Sequence, residues 1–586
     1  MKNGEAIMCG ISGYIGHRQA SPIIAESLKR LEYRGYDSVG VAVMSDRIHV
    51  LKGVGQVDNF SFDSLKGTIG IGHTRWATHG GVTKENAHPH LSNNELIAIV
   101  HNGIIENYQE IKAFLISQGF NFRSDTDTEV IPNLIEYHMK RYDFIEATTR
   151  ALKHLEGQYA IAVMGFNKIV VVRKELPLVI GVGDGEFYVA SDILAFLNQT
   201  KNVIFLAEKD MAVLDDKLEI RSLMSGERVD REVSQISSDE GQVGKGGYDH
   251  YFIKEILEQA DALERVLTID QSLIKDIASE IKKAQGTYIV ACGSSYNATL
   301  YALYLFSKVA KCHINTCIAS EFAHFQHFLT SNSLVLAISQ SGETADILGA
   351  IRVAKAVGAK VISITNVIGS SLARESDKLI TQRVGYEISV AATKSYTAQL
   401  VILYMLAYEI AGRLEEGKGN LKELIRYIYY LVSDSARKYT KNLAVQLRYA
   451  EHIYLIGRGL DFSTAQEAAL KIKEISYIHA EAYMGGELKH GAIALMEYGT
   501  PCIVFVSGDK DIISNAIELK ARGAYIIGVG SKNNEVFDYF IKVRDIPDLS
   551  PVCQIIPMQF LAYMLAILRG CDPDKPRNLA KSVTVK

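Results

Sequence analysis

Hydrophobic and polar positions divide the chain into three regions of different texture. Between residue 9 and about residue 235, short apolar runs of β type, such as 169–173 and 187–190, alternate with Gly-rich turns. This pattern predicts a mixed α and β domain with much antiparallel sheet. Residues 236–250 are polar and rich in Gly and Ser, which is typical of a linker or of one long surface loop. From residue 251 onward, apolar strands alternate with long helical patterns, which predicts α/β domains with parallel sheets.

The C-terminal region contains an internal repeat with an offset of about 165 residues. In each copy an apolar strand ends in a glycine turn that opens a helix, and a second strand ending in Ser is followed by a helix and a third strand. The matched landmarks are Tyr288 and Tyr454, Gly293 and Gly459, Ser339 and Ser507, and Gly358 and Gly523. Two doubly wound domains of common ancestry explain these landmarks, with chance similarity between βαβ units as the alternative.

Composition and charge exclude several classes of protein. The 586 residues include 63 Lys and Arg against 67 Asp and Glu, a balance that argues against an electrostatic nucleic-acid binder. The longest clean apolar run, around 400–408, is too short to span a bilayer, and the first residues do not resemble a signal peptide. Seven dispersed cysteines point to a reducing compartment, and zinc-type Cys and His clusters are missing from the sequence. We therefore expect a cytoplasmic protein without a metal, a membrane or a nucleic-acid partner.

A phosphate-sized loop follows the predicted strand 334–338. Hydroxyl groups, a glycine and amide groups that begin a helix suit a phosphate monoester, and a further turn, 292–295, would add donors at the same sheet edge. The residues concerned are Ser294, Ser295, Ser339, Gln340, Ser341 and Thr344. Plain helix N-capping by Ser and Thr is the alternative. The equivalent loop of the second repeat carries Asp509, which would repel phosphate, so only the first repeat is expected to hold the anion.

Acid–base candidates follow Gly459 in the second repeat. Glu467, Lys471 and Glu474 fall on one helix face, where they form either a surface ion-pair ladder or part of a site. Residues 479–491 are dense in ionisable groups between glycines, which favours a site loop that includes His490. In the terminal segment, Lys581 suits an amine nucleophile, although the segment's apolar alternation also fits an edge strand.

The N-terminal candidates begin with Cys9. The α-amine of an N-terminal cysteine, with a pKa of about 7.7–8.0, is able to act as the base for its own thiol. Arg75 suits an α-carboxylate, Asp127 an ammonium group, and Asn102 with an adjacent glycine amide an oxyanion. A purely structural cysteine is the alternative.

Motifs throughout the chain carry a family resemblance. CGISGY, GHTRWATHG, HNGIIENY and SDTDTE resemble the glutaminase domain of N-terminal-nucleophile amidotransferases, and SQSGETAD, EISYIHAEAY, GELKHG and PRNLAKSVTV resemble paired sugar-isomerase (SIS) domains. Together they are similar to the glutamine–fructose-6-phosphate aminotransferase family over essentially the whole chain after residue 8. The resemblance implies an α+β glutaminase domain of stacked, mostly antiparallel sheets (9–235), a linker (236–250), two α/β sugar-isomerase domains (251–435 and 436–575) and an active-site tail (576–586).

The resemblance also implies a reaction and the residues of its first half. The expected enzyme hydrolyses L-glutamine, channels the ammonia, and converts fructose 6-phosphate to glucosamine 6-phosphate without a metal or organic cofactor. Cys9 matches the nucleophile, and Asn102 and Gly103 match the oxyanion hole. The glutamine-binding positions are Arg75, Trp76, His79 and Asp127, of which Trp76 also matches the gate of the ammonia channel.

In the isomerase half, Glu474 matches the group that moves a proton from C1 to C2, with Lys471 and Glu467 nearby. Lys581 matches the Schiff-base lysine, and His490 matches the ring-opening residue that the partner subunit of a homodimer contributes. The sugar-phosphate positions implied by the resemblance are Ser294, Ser295, Ser339, Gln340, Ser341, Thr344, Val390 and Ala580.

One departure concerns the nucleophile, because eight residues precede Cys9 and leave it without a free α-amine. We expect the active chain to begin at Cys9. Three other functions stay open: an amidotransferase of the phosphoribosyl kind, a sugar-phosphate-binding regulatory module, and an isomerase that uses no glutamine. The first should show a phosphoribosyltransferase loop of acidic pairs in place of the repeats, whereas the sequence has the repeats.

Overall fold

The computed structural model describes residues 9–32, 35–76, 80–174, 176–235 and 245–583. The chain divides into two compact units, Met1–Glu240 with Ala580–Lys586, and Gly241–Leu579, and each is described by itself. His79, one of the expected glutamine-binding positions, lies outside the described residues.

The first unit consists of two antiparallel sheets with helices outside them. Its strands are β1 (Gly10–Ile15), β2 (Ser38–Met44), β3 (Ile48–Val54), β4 (Ile69–Arg75), β5 (His90–Leu91), β6 (Ala98–Ile105), β7 (Gly157–Gly165), β8 (Lys168–Lys174), β9 (Val179–Val182), β10 (Phe187–Ala190), β11 (Asn202–Phe205), β12 (Asp210–Leu214), β13 (Leu218–Ser222) and β14 (Ser234–Gln235). Its helices are α1 (Ala20–Leu31), α2 (Tyr108–Ser117), α3 (Val130–Met139) and α4 (Phe144–Lys153). The apolar runs at 169–173 and 187–190 are strands β8 and β10, as the sequence predicts.

The two sheets stack around a common apolar layer. Their strand orders are β14-β11-β9-β10-β1-β4-β2-β3 and β13-β12-β8-β7-β6-β5. Inward side chains of both sheets, such as Ile11 and Ile71 of one and Val100 and Val171 of the other, form a single buried cluster. Helix α1 packs on the outer face of the first sheet and α2–α4 on the outer face of the second. This arrangement confirms the expected α+β domain of stacked antiparallel sheets.

The second unit holds both repeats. Its helices are α5 (Tyr251–Leu257), α6 (Gln259–Val266), α7 (Gln271–Lys283), α8 (Gly293–Leu305), α9 (Ala345–Ala356), α10 (Ser371–Glu375), α11 (Lys394–Ile410), α12 (Leu414–Leu431), α13 (Asp434–Leu447), α14 (Leu460–Ser476), α15 (Asp511–Lys520) and α16 (Ser550–Leu568). Its strands are β15 (Thr287–Ala291), β16 (Asn315–Ile318), β17 (Leu334–Ser339), β18 (Lys360–Thr365), β19 (Lys378–Thr381), β20 (His452–Gly457), β21 (His479–Met484), β22 (Pro501–Val506), β23 (Tyr525–Gly530) and β24 (Tyr539–Lys542).

Two parallel five-stranded sheets of identical topology confirm the internal repeat. Their orders are β16-β15-β17-β18-β19 and β21-β20-β22-β23-β24. The central strands are apolar on both faces because helices cover both sides, as parallel sheets require. Helices of both halves, including α11, α14 and α16, contribute to one continuous hydrophobic core. The two sugar-isomerase-type domains therefore pack as one unit.

The segment 479–491 differs from the site loop that its composition favoured. Residues His479–Met484 form strand β21, which pairs in parallel with β20, and Glu487–His490 form a 3-10 helix. The reason is that apolar side chains of the segment contact cores on both sides of the sheet: Ala480 and Ala482 pack against one apolar cluster and Tyr483 against another. Apolar contacts on both faces are typical of a strand in a parallel sheet that helices cover on both sides.

One helix among the described residues, α16, is long and apolar enough to cross a membrane by length and composition. From the sequence, 400–408 is the longest clean apolar run, and it belongs to α11 and not to α16. Of the most apolar window of α16, 83% is buried inside the protein. Burial of that extent is typical of a core helix.

Candidate active sites

The thiol of Cys9 lies at the N-terminal end of β1, an interior strand of the first sheet. Antiparallel pairing of β1 with β4 sets Gly10 opposite Thr74, so Cys9 comes beside the end of β4. The backbone N–H of Trp76 donates to Cys9 Sγ at 3.3 Å, and the thiol lies 3.5 Å from the carbonyl oxygen of Trp76. Burial raises the pKa of the Cys9 thiol to about 11, against the opposing influence of that N–H and of the Arg75 charge. A thiol in this environment needs a base to become a nucleophile.

Asn102 and Gly103, the expected oxyanion pair, belong to β6 of the second sheet. Asn102 is buried, and its Nδ2 donates to the Cys9 carbonyl oxygen at 2.8 Å. Gly103 adopts a φ of 123°, and a Cβ there would lie 2.0 Å from the Gln158 carbonyl oxygen. Only glycine fits this position, so the backbone next to Asn102 keeps a conformation that other residues would disrupt.

Arg75 and Asp127, the expected clamp on the amino-acid end of glutamine, are both buried. Arg75 ends β4, and its guanidinium donates to the carbonyl oxygens of Gly81 and Gly80 at 3.2 and 3.4 Å. Asp127 Oδ2 accepts the backbone N–H of Ile105 at 2.7 Å. Trp76 is half-buried, with its ring edge-on to that of Tyr36 at a centroid distance of 5.2 Å.

The expected phosphate loop occupies the carboxyl end of β17. Ser339 Oγ lies 3.0 Å from Thr344 Oγ1 and accepts the backbone N–H of Gly342 at 3.1 Å, while Ser341 Oγ accepts that of Glu343 at 3.2 Å. Gln340 is partly exposed beside them. The hydroxyls thus bond to one another and to the loop amides around the N-terminus of α9. That geometry gathers three hydroxyl groups at a helix N-terminus, where a phosphate binds favourably.

The equivalent place in the second repeat is filled by a side chain of the protein. Asp461 is buried and accepts the Ser507 backbone N–H at 2.8 Å and the Ser507 hydroxyl at 2.5 Å. Burial raises the pKa of Asp461 to about 6. Asp509, which the sequence analysis singled out, pairs with Arg458 at 3.0 Å. An internal carboxylate therefore takes the donors that an external anion would need.

Glu467, Lys471 and Glu474 lie on one face of α14, and the face is interior. Lys471 and Glu467 side chains are fully buried with Nζ and Oε1 3.5 Å apart, and Lys471 also contacts Glu474, whose side chain is 20% exposed. Burial lowers the pKa of Lys471, but the carboxylates of Glu474 and Glu467 outweigh it and keep that pKa raised. Burial raises the pKa of Glu467. The alternative of a surface ion-pair ladder is wrong.

This cluster is continuous with the first repeat. Lys471 Nζ donates to Ser294 Oγ at 3.1 Å, and Asn297 Nδ2 donates to Glu467 Oε2 at 2.8 Å. Ser294 and Asn297 belong to α8, whose first turn also carries the buried Ser295. The structure thus joins the expected phosphate side of one repeat to the ionisable helix of the other.

Val390 belongs to a loop held by the Glu255 carboxylate and the Asp574 backbone carbonyl, two residues that the sequence analysis does not identify. Glu255 of α5 accepts the backbone N–H of Ser389 at 3.0 Å and also bonds Ile388 and the Ser389 hydroxyl. The carboxylate of Asp574 accepts the backbone N–H groups of Tyr251 and Phe252 in α5, each at 2.8 Å. The backbone carbonyl oxygen of Asp574 accepts the backbone N–H of Val390 at 3.1 Å. No local pattern indicates these contacts, because the partners lie far apart in the sequence.

The remaining positions are more exposed. His490 is exposed at the end of the short 3-10 helix, and Ala580 and Lys581 are partly buried. Ala580 and Lys581 belong to the first unit, whereas Glu474 and His490 belong to the second. Among the residues that the structure describes, no group of three or more His, Cys, Asp and Glu side chains is placed to hold a metal ion.

Comparison with known proteins agrees with both halves of this architecture. Residues 8–242 match the family model of the glutamine amidotransferase domain, and residues 280–408 and 446–569 each match that of the SIS domain. The C-terminal domain of glucosamine-fructose-6-phosphate aminotransferase from Francisella tularensis is 35% identical, covers 57% of this chain and 100% of its own, and superimposes with a TM-score of 0.52.

Full-length relatives extend the similarity to the whole chain. The chain is 43% identical over 612 residues to the glutamine–fructose-6-phosphate aminotransferase (isomerizing) of Caldanaerobacter subterraneus subsp. tengcongensis, covering 99% of this chain and 100% of the relative. It is 44% identical over 607 residues to the protein of the same name from Thermococcus kodakarensis, again covering 99% of this chain and 100% of the relative. With this identity over the full length, the chain belongs to the glutamine–fructose-6-phosphate aminotransferase family.

Proposed function

We propose that the chain hydrolyses L-glutamine at Cys9 and uses the ammonia to convert fructose 6-phosphate to glucosamine 6-phosphate. The Cys9 thiolate attacks the side-chain amide, releases ammonia and leaves a thioester that water hydrolyses to glutamate. Asn102 Nδ2 and the Gly103 amide hold the oxyanion of the tetrahedral intermediate. Arg75 binds the α-carboxylate and Asp127 the ammonium group of glutamine, with Trp76 and His79 completing the pocket.

The environment of Cys9 supports a mechanism in which the mature chain starts at that residue. A thiol with a pKa of about 11 is almost entirely protonated at neutral pH. A free α-amine on the same residue is able to accept the thiol proton and then return it to the departing ammonia. The proposal therefore includes removal of the residues before Cys9.

In the second unit, the loop at the end of β17 and the first turn of α8 bind the sugar phosphate. The groups proposed to line this pocket are Ser294, Ser295, Ser339, Gln340, Ser341, Thr344, Val390 and, from the tail, Ala580. Lys581 forms an imine with the C2 ketone, which ammonia then displaces. The two sugar-isomerase domains (251–435 and 436–575) thus supply the site, and the glutaminase domain (9–235) supplies the ammonia.

Glu474 moves the proton that converts the ketose to the aldose. Its carboxylate removes a proton from C1 of the fructosimine and returns it to C2, which gives the amino aldose. The partial exposure of Glu474 supports this role, because a substrate is able to reach it, whereas Glu467 and Lys471 are enclosed. The buried Lys471 stabilises the ionised Glu474 carboxylate that exists before the first proton transfer and is restored by the second.

The remaining parts of the proposal concern assembly and location. His490 opens the sugar ring in the site of the partner subunit of a homodimer, and its exposure on this chain supports that assignment. We place the enzyme in the cytoplasm, with glutamine and fructose 6-phosphate as its partners and without a nucleic acid, membrane or cofactor. Trp76 gates the passage of ammonia.

The observation that supports the proposal is the hydrogen bond from Lys471 to Ser294, which joins the acid–base helix α14 to the first turn of α8, one of the two segments proposed to bind the phosphate. Two variants test the proposed function against its alternatives. Lys581→Ala should abolish glucosamine 6-phosphate synthesis. A sugar-phosphate sensor would instead make no glucosamine 6-phosphate before the substitution and would bind its ligand equally well after it. Cys9→Ala should abolish glutamate release, and an isomerase that uses no glutamine would keep all its activity.

A further inference from the structure

His73 of β4 reaches from the first sheet of the glutaminase unit to the oxyanion residue of the second. The side chain is 1% exposed, and its Nε2 lies 3.0 Å from Asn102 Oδ1 and 3.1 Å from the carbonyl oxygen of His101. The reaction steps proposed above do not use this imidazole. Its contacts nevertheless determine what Asn102 presents to the nucleophile.

The two contacts fix which atoms carry hydrogen. A backbone carbonyl oxygen only accepts, so the Nε2 that contacts the His101 carbonyl carries a hydrogen. The Asn102 atom 3.0 Å from the same nitrogen must then be the carboxamide oxygen, since an NH2 group there would face another donor. The NH2 group of Asn102 consequently points the opposite way, where it donates to the carbonyl oxygen of Cys9 at 2.8 Å. One imidazole N–H thus selects one of the two orientations of the amide.

Neighbouring histidines keep the imidazole in place. The His88 ring stacks on that of His73 at a centroid distance of 4.3 Å and an angle of 24°, and His88 Nδ1 accepts the backbone N–H of His101 at 3.3 Å. Burial lowers the pKa of His73 to about 3. The ring is therefore neutral at physiological pH, and its single N–H is the one directed at Asn102.

We propose that His73 is a positioning residue for glutamine hydrolysis, which holds the Asn102 carboxamide with its NH2 group toward the oxyanion. The proposal rests on the roles of Cys9 and Asn102 given above and adds a group that acts through Asn102 alone. Without the imidazole N–H, the bond to the Cys9 carbonyl oxygen is the remaining contact named above that favours this orientation, and the carboxamide turns over more readily. Its oxygen would then face the developing negative charge in a fraction of the molecules.

The test compares initial rates of glutamate release by full-length His73→Leu, His73→Gln, Asn102→Ala and the double variant His73→Leu/Asn102→Ala. Loss of an oxyanion donor typically lowers kcat by about 10²–10³-fold. The loss measured for Asn102→Ala is therefore the largest loss that His73 is able to cause by acting through Asn102. We expect His73→Leu to lower kcat by about tenfold or more, but by no more than Asn102→Ala does. The KM for glutamine should stay close to that of the unchanged protein because Arg75 and Asp127 are intact. His73→Gln places an N–H near the Nε2 position and should recover most of the rate.

The double variant separates positioning from general damage to the fold. If His73 acts through Asn102, His73→Leu has no further effect on kcat in the Asn102→Ala background. Equal losses in both backgrounds, or a Gln variant as slow as the Leu variant, would overturn the proposal. His49→Leu, on the partly exposed β3, is the matched control and should be unaffected. If Asn102→Ala itself hydrolyses glutamine normally, the proposed function fails, whereas an effect of Asn102→Ala without one of His73→Leu rejects only the positioning role.

Discussion

Lys471 of the second repeat donates a hydrogen bond of 3.1 Å to Ser294 of the first. The two residues occupy the helices that follow the first strand of each repeat, α14 and α8, and these helices pack against each other. The two repeats therefore share a fold but contribute different side chains to the contact between α14 and α8. In the proposed mechanism, one copy supplies the loop that binds the sugar phosphate and the other supplies the buried ionisable side chains.

Replacing the buried lysine should damage both stability and synthesis. In Lys471→Met, Glu467 keeps a fully buried carboxylate that has lost its cation. Removing one partner of a buried pair typically costs about 3–5 kcal/mol in the free energy of unfolding. We expect a loss of that size in denaturant titrations and a fall of at least about 10²-fold in glucosamine 6-phosphate formation.

The matched control for Lys471→Met is Lys473→Met, which changes an exposed lysine on the same helix. It should alter the free energy of unfolding by less than about 0.5 kcal/mol and leave synthesis intact. Equal effects of the two substitutions would show that the buried cluster has no special part in either property.

The pH dependence of glutamine hydrolysis should report the base that activates Cys9. Because burial raises the pKa of the thiol to about 11, direct ionisation of the thiol would make kcat/KM rise about tenfold per pH unit through pH 10. With the α-amine as base, kcat/KM should instead level off above pH about 8. Steady-state rates between pH 6 and pH 10 on protein whose N-terminus is verified by intact mass decide between these profiles. A continued rise, or full activity of a chain that retains the preceding residues, would contradict the α-amine mechanism.

The difference in stability between the wild type and an Asp461→Asn variant should depend on pH and be most favourable to the wild type in acid. The pKa of its buried carboxyl is raised from 3.8 to about 6, so the folded state binds the proton more tightly than the unfolded state. The resulting stabilisation is complete below pH 3.8 and is lost as pH rises through 6, where the folded state must hold a buried charge. The difference in unfolding free energy between the wild type and Asp461→Asn should therefore shift by about 3 kcal/mol between pH 4 and pH 7.5, in favour of the variant at the higher pH. Parallel pH–stability curves for the two proteins would show that this carboxyl does not carry the effect.

The loop that holds Val390 should depend on Glu255. Glu255→Gln keeps one acceptor oxygen for the loop amides but sets an NH2 group against the Ser389 hydroxyl or the amides themselves. Hydrogen bonds to a charged acceptor are worth about 1.5–3 kcal/mol, so an incomplete loss should raise the KM for fructose 6-phosphate by about tenfold. Glutamate release measured without the sugar should be unchanged. Glu264→Gln, which changes an exposed carboxylate on the next helix, is the control, and a KM change equal in both variants would reject the role of the loop.

Local patterns of apolar and polar residues predict most helices and strands of this fold. They do not predict contacts between residues that lie far apart in the sequence. The strands that contain Tyr288 and Tyr454 are predictable from the sequence because each is a short apolar run that ends in a glycine turn. Helix α16 was overlooked because Gln554, Pro557 and Gln559 interrupt its apolar sequence, although all three are buried.

The candidate sites divide in the same way. The motifs point to Cys9, Asn102 and Glu474 as candidates, because the proposed reaction needs a nucleophile, an oxyanion donor and a proton carrier. The bond from His73 to Asn102 and that from Asp574 to Phe252 join residues 29 and 322 positions apart. Both hydrogen bonds join elements that come together only when the chain folds. No periodicity or spacing in the sequence therefore predicts them.

The most direct test of the account is to incubate the enzyme with L-glutamine and fructose 6-phosphate and to measure glutamate and glucosamine 6-phosphate in the same samples over time. The account predicts that the two products accumulate in equal amounts, because each ammonia released at Cys9 is consumed at C2 of the sugar. Glutamate without glucosamine 6-phosphate, or turnover of neither substrate, would contradict it.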